Sequence, residues 1–77
     1  MSDLMPWQRA TIVYALQNTK GVVKTSTVTR HVRPGMDSKD VREMLDHMAA
    51  IGLLEPPVKR GQVYTWQVSE KGREAVQ

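Results

Sequence analysis

Residues 37–54, DSKDVREMLDHMAAIGLL, are the most strongly patterned stretch of this 77-residue chain. Their apolar side chains recur three and four positions apart, which is the spacing of one face of an α-helix. Asp37 can accept hydrogen bonds from the unpaired amides of a first turn, and Gly52 can adopt the left-handed conformation that ends a helix. The pattern predicts a helix over residues 37–51 with one buried face, formed by Val41, Met44, Leu45, Met48 and Ile51.

The opposite face of this helix is polar and mostly acidic. Residues 36–55 contain five acids and two bases, whereas the segments before and after them are basic. The whole chain has a formal charge of +3, which mildly favours polyanionic partners. The main functional question is which molecule this face contacts. The outward positions of the face are Lys39, Arg42, Glu43, Asp46 and Ala50.

Length and composition limit the class of protein. We expect a single domain over residues 1–77, which at this size buries about 60% of its unfolded surface. The chain has no cysteine, so disulfides and thiolate chemistry are excluded, and a reducing compartment is favoured. No apolar run approaches the roughly 20 residues that cross a bilayer, and no signal peptide precedes the first helix. The expectation is a soluble cytoplasmic protein with no membrane partner.

The N-terminal part predicts a mobile lead, residues 1–5, followed by a helix that begins at Pro6. Proline suits a first helical turn because its missing amide would have had no partner there. The helix is apolar on two sides, and Trp7, Ala10 and Tyr14 form the second one. Trp7 and Tyr14 either pack under the C-terminal segment or form a dimer contact. The inner face is predicted to be Ile12, Val13 and Leu16.

Residues 21–36, GVVKTSTVTRHVRPGM, combine strand and helix signals. Branched side chains favour a strand at Val22 and Val23. Thr25 can cap a helix, Val28 and Val32 lie four positions apart, and a Pro-Gly pair follows as a sharp stop. We predict a short strand and then a helix over residues 25–32.

The C-terminal part predicts a β-hairpin and a final helix. Residues 55–57, EPP, break regular structure, and residues 58–62, VKRGQ, are typical of a hairpin tip. Residues 63–68, VYTWQV, are rich in branched and aromatic side chains, as in a strand. Trp66 is either a core residue or an exposed one: if the strand alternates with Tyr64 and Val68 inward, Trp66 is inward with them. Ser69 can cap the last helix.

In this order the elements resemble the winged helix-turn-helix family over residues 6–76. Residues 22–55 resemble its helix, turn and recognition helix, residues 58–66 resemble its wing, and residues 66–76 resemble its closing strand and capped helix. The resemblance implies an α+β, mainly α fold, with a three-helix core, a β-hairpin wing and a short C-terminal helix. It also implies a DNA-binding transcriptional regulator whose partner is double-stranded DNA.

The resemblance further implies which residues contact DNA. The 37–51 helix would lie in the major groove, and the 58–63 wing would contact phosphate or the minor groove. Because one short helix reads few base pairs, a homodimer is favoured. The implied base-reading residues are Ser38, Lys39, Arg42 and Glu43, the wing contacts are Lys59, Arg60 and Gln62, and the phosphate contacts of the preceding helix are Thr25, Thr27 and Arg30.

The acidic residues of the recognition helix keep a second hypothesis open. Carboxylates near phosphate raise the free energy of docking to DNA. The presence of Asp37 and Asp40 is explained by the positive end of the helix dipole, which favours acids at a helix start. Glu43 and Asp46 are explained less well, although an acid can accept a hydrogen bond from cytosine. The alternative is a protein adaptor or inhibitor that docks through the Glu43 and Asp46 face. The basic wing also leaves RNA open as a ligand.

Enzymatic activity is not expected from this sequence. His31 and His47 are its two histidines, and they are predicted on different helices with no fixed partner. No spacing of His with Asp or Glu suggests the three or four converging ligands of a metal site. No nucleophile with its base and no glycine-rich phosphate loop is present. We therefore predict no catalytic residue, no metal and no cofactor.

Overall fold

The computed structural model describes residues 4–77, and within this range the chain is a small α+β domain. Four α-helices and one π-helical turn pack with a three-stranded antiparallel sheet in the described part of the chain. Residues 1–3 of the predicted mobile lead lie outside the described range. The elements are α1 (Pro6–Asn18), β1 (Val22–Lys24), α2 (Thr25–Thr27), the π-helical turn (Val28–Val32), α3 (Ser38–Ala50), β2 (Val58–Arg60), β3 (Val63–Gln67) and α4 (Glu70–Ala75).

Helix α3 begins and ends where its sequence predicts. The Asp37 side chain accepts a hydrogen bond from the Lys39 amide at 3.4 Å, and Gly52 has a φ of 89°. The Lys71 ammonium, from α4, donates to the Ile51 carbonyl at 2.9 Å. The carbonyls at the end of α3 therefore gain a cationic partner, which complements the negative end of the helix dipole.

The buried face of α3 is shorter than predicted. Val41, Leu45 and Met48 are fully buried, as expected, and Met44 is half-buried. The prediction for Ile51 is wrong, because this side chain is 40% exposed. The helix ends at Ala50 and the chain reverses at Gly52, so the next two residues, Leu53 and Leu54, fill the core instead.

The helix predicted over residues 25–32 is present, but its second part is a π-helix. The Arg33 amide donates to the Val28 carbonyl at 2.7 Å, a bond that spans five residues instead of four. The His31 ring, which was expected to have no fixed partner, stacks on Tyr14 of α1 with 4.9 Å between ring centroids. The Tyr14 ring of α1 is therefore held against the π-helical turn.

Helix α1 uses a different face for the core than its apolar pattern suggests. Ile12 is buried, as predicted, together with Ala15 and the polar Thr11 and Gln8. Two of these polar groups have local partners: the Thr11 hydroxyl donates to the Trp7 carbonyl at 2.7 Å, and Gln8 accepts from the Met5 amide at 2.9 Å. Val13 and Leu16 are only half-buried, and both line a groove between α1 and the end of the chain.

The sheet has the strand order β1-β3-β2, with β3 in the centre. Val23 pairs with Trp66 on one side, and Lys59 pairs with Tyr64 on the other. The predicted hairpin tip is too long, because residues 58–60 belong to β2 and only Gly61 and Gln62 form the turn. Trp66 is 1% exposed, so of the two alternatives it takes the core position.

Helix α4 closes the domain through its cap and its glycine. The Ser69 hydroxyl accepts a hydrogen bond from the Gly72 amide at 3.0 Å and donates to the Gly52 carbonyl. Gly72 is buried so closely against the Leu53 carbonyl that a Cβ atom there would overlap the oxygen. The last turn of α3, the 52–54 segment and α4 therefore form one tightly packed corner.

None of the helices within residues 4–77 has the length and apolar character needed to cross a bilayer.

Candidate functional site

An open cleft of about 500 Å³ lies between the starts of α2 and α3 and the β-hairpin. Its lining residues come from three segments that are distant in sequence: the junction of β1 with α2, the first turns of α3, and the hairpin. We call it the basic cleft. It is lined by Lys24, Thr25, Ser26, Ser38, Lys39, Arg42, Gln62, Val63 and Tyr64.

The lining of the basic cleft is cationic and rich in hydrogen-bond donors. It contains Lys24, Lys39 and Arg42 and no acidic residue. The hydroxyls of Thr25, Ser26 and Ser38 add short polar groups around these charges. Cations together with hydroxyls at a surface groove are the usual contacts of phosphate oxygens. The arrangement is therefore suited to an anionic ligand.

The two helix starts present their first turns to this cleft. Lys24 has extended backbone geometry immediately before α2, and no side chain caps that helix. Asp37 is likewise extended before α3, where its own carboxylate serves as the cap. The short side chains that follow, Thr25, Ser26 and Ser38, leave the cleft open to solvent. A ligand can therefore approach the start of both helices.

One aromatic ring organises the cations on the hairpin side of the cleft. The Arg42 guanidinium carbon lies 3.9 Å from the centroid of the Tyr64 ring. The Lys59 ammonium lies 5.6 Å from the same centroid. Both distances are within the range of cation–π attraction, which is worth about 0.5–1 kcal/mol at an exposed site. The half-buried Tyr64 therefore holds Arg42 of α3 beside the hairpin.

The acids of α3 are distributed unevenly around this site. Asp40 lies two positions before Arg42, which at 3.6 residues per turn is about 160° away around the helix. Asp37 is at the cap, where its carboxylate accepts from the Lys39 amide. Glu43 and Asp46 are exposed on the outward face and do not line the cleft. The carboxylates thus border the basic cleft without entering it.

Five of the ten sequence-predicted site residues meet in the basic cleft, and Lys59 lies next to it through Tyr64. The other four lie away from the cleft. Thr27 and Arg30 belong to the helical segment behind it, and Glu43 is on the outward face of α3. Arg60 lies on the opposite face of the hairpin, where it lines a second cleft with Glu55. The five residues in the basic cleft are Thr25, Ser38, Lys39, Arg42 and Gln62.

Lys24, Ser26 and Tyr64 line the cleft but were not among the predicted site residues. Lys24 and Ser26 flank Thr25, so their position beside a predicted phosphate contact was an available signal. Tyr64 was assigned to the core by strand alternation, which gives its direction correctly. No local pattern indicates that Arg42 would lie over its ring, because the two residues belong to α3 and β3.

Within residues 4–77 no three His, Asp or Glu side chains converge closely enough to hold a metal ion. No protein family, curated protein or solved structure gives a significant match to this chain.

Proposed function

We propose that this chain is a winged helix-turn-helix DNA-binding regulator. In this proposal α3 is the recognition helix that enters the major groove, and the hairpin of β2 and β3 is the wing beside it. The observation that carries the proposal is the basic cleft, which is lined by Lys24, Lys39 and Arg42 together with short hydroxyl side chains and no acid.

The basic cleft would receive the DNA backbone. A strand that passes between the wing and the starts of α2 and α3 brings its phosphates to Lys24 and Lys39. The hydroxyls of Thr25, Ser26 and Ser38 would then fix the position of the backbone, as short polar side chains do in protein–DNA complexes. Lys59 extends the positive surface along the wing.

Arg42 is the residue we assign to base reading. Its contact with Tyr64 engages the carbon centre of the guanidinium, while the N–H donors remain available. A guanidinium with free donors can bind the O6 and N7 acceptors of guanine together, the commonest base-specific contact. Since the Tyr64 ring restricts the side chain before DNA arrives, less conformational entropy is lost on binding.

The test is fluorescence anisotropy with labelled duplex DNA of random sequence at about 50 and 200 mM salt. We expect micromolar binding at low salt that weakens strongly at high salt, and selection from a random pool would then identify a preferred site. The double variant Lys39→Ala, Arg42→Ala should lose most of this affinity. Arg73→Ala removes one exposed positive charge on α4, away from the cleft, and is the control for each of the single variants Lys39→Ala and Arg42→Ala. Absence of binding at low salt would reject the proposal.

A second candidate function is supported by the exposed carboxylates of α3. Glu43 and Asp46 point outward beyond the cleft, so the same helix could dock on a basic surface of another protein. In that case the chain is an adaptor or inhibitor. Reversal of both charges with Glu43→Arg and Asp46→Arg would then abolish capture of the protein partner, whereas DNA affinity would be absent or independent of sequence.

A further inference from the structure

One face of the sheet packs on the core, and the other is uncovered by the described residues. Strand alternation and the two registers place seven side chains on this second face. Of the four exposed large apolar side chains in residues 4–77, two lie here: Val58 at 53% and Val63 at 52% exposure. We call it the outer sheet face; it comprises Val22, Lys24, Val58, Arg60, Val63, Thr65 and Gln67, bordered by Glu55 and Pro56.

The charges of this face are arranged symmetrically about its centre. The Glu55 amide donates to the Gln67 carbonyl at 2.7 Å, so Glu55 lies beside Gln67. Arg60 pairs with Val63 at the other end of β3. Gln67 and Val63 are each two residues from Thr65, or about 7 Å along the strand. The acid and the base therefore lie at equal distances on either side of the row formed by Thr65 and Val58.

We infer that the outer sheet face is a homodimer interface that binds a second copy of this chain. Consider a two-fold axis that lies in the interface, runs along the central row and is perpendicular to the strands. This axis places Glu55 of each copy opposite Arg60 of the other. The same axis brings Val58 against Val58, so apolar surface is buried between two ion pairs. Such a face is self-complementary, which is what a two-fold interface requires.

The remaining cation of this face has a second environment. Lys24 lies in the central row, paired with Thr65, and the two-fold axis brings the two Lys24 side chains towards each other. Lys24 also lines the basic cleft, so its long side chain can direct the ammonium there. With the ammonium directed there, the dimer keeps both basic clefts open, one on each copy, whatever those clefts bind.

The experiment is sedimentation velocity on the full chain without DNA, over a range of protein concentrations. We expect a concentration-dependent dimer of twice the 8.7 kDa chain mass. Glu55→Arg and Arg60→Glu should each weaken association at least about tenfold, because each substitution creates two like-charge contacts. The double variant Glu55→Arg, Arg60→Glu exchanges the charges and should restore the dimer.

Two further variants keep the test specific. Val63→Lys puts a charge on the apolar part of the face and should dissociate the dimer, whereas Glu74→Arg on α4 should leave it unchanged. All these side chains are exposed, and circular dichroism will verify that each variant is folded. A wild-type chain that stays monomeric, or a dimer that neither single charge reversal weakens, would overturn the inference. Failure of the double variant to recover would do so as well.

Discussion

The guanidinium carbon of Arg42 lies 3.9 Å from the centre of the Tyr64 ring. This contact joins the exposed side of α3 to the central strand of the sheet, so it couples the proposed recognition helix to the proposed wing. Its direct contribution to stability is small, about 0.5–1 kcal/mol. Its larger consequence is positional, because it selects one direction for a long side chain that would otherwise move freely in solvent.

Replacement of Tyr64 should therefore affect DNA specificity more than DNA affinity. We expect Tyr64→Leu to lower affinity for a selected site about three- to fivefold, mainly through loss of the closer cation–π contact, that of Arg42. Affinity for random DNA should change less, since the charge of Arg42 is retained. Tyr64→Phe keeps the ring and should keep specificity. Competition binding with selected and random duplexes measures both quantities, and equal losses for the two duplexes would refute a positioning role.

The two lysines of the basic cleft should act on all DNA sequences alike. We expect Lys24→Ala and Lys39→Ala each to reduce the salt dependence of binding by about one phosphate contact, a change of about 0.9 in the slope of log K against log salt. Selectivity between duplexes should be unchanged. Titrations at several salt concentrations provide the slope, with Arg73→Ala as the comparison. An unaltered slope in both lysine variants would place the phosphates elsewhere.

Neutralisation of Glu43 distinguishes the two candidate functions. If α3 enters a DNA groove, the exposed carboxylate opposes docking, and Glu43→Gln should strengthen binding to random duplexes several-fold at low salt. The isosteric amide keeps the size of the side chain, and Glu74→Gln on α4 controls for the change in net charge. Unchanged DNA affinity in Glu43→Gln would show that this face of α3 does not approach the phosphates.

The buried glycine of α4 should tolerate no side chain. A Cβ atom at Gly72 would overlap the Leu53 carbonyl, so the helix or the 52–54 segment must shift. We expect Gly72→Ala to lower the free energy of unfolding by about 3 kcal/mol. Gly35→Ala is the matched comparison: Gly35 has a φ of 86° but open space around it, so only the backbone cost of about 1 kcal/mol applies. Chemical denaturation measures both, and equal losses would contradict the packing argument.

The element order could be predicted because its signals are local. Asp37, Gly52 and Ser69 act within a few residues of their own positions, and each does in the structure what its chemistry suggests. The exposure of Ile51 could not be predicted from helical spacing, because it depends on where the chain turns after α3. The stacking of His31 in the π-helical turn on Tyr14 of α1 likewise joins two separate segments, so no local pattern indicates it.

The candidate site could be predicted only in part, because it is assembled by pairing between distant strands. Sequence alternation separates Lys59 from Arg60 onto opposite faces, but the register of β2 with β3 determines which one lies near Tyr64. In the same way, Lys24 reaches the cleft because β1 joins the sheet beside β3. No signal within either segment contains this information.

The pairing of β1 with β3 also has a consequence for the order of folding. It joins Val22 to Gln67, which are 45 residues apart in sequence, so this pairing closes a large loop and is expected late in folding. The basic cleft takes Lys24 from the first of these strands and Tyr64 from the second. The cleft therefore requires β1 and β3 to be paired, and any anion that binds there will stabilise the native state.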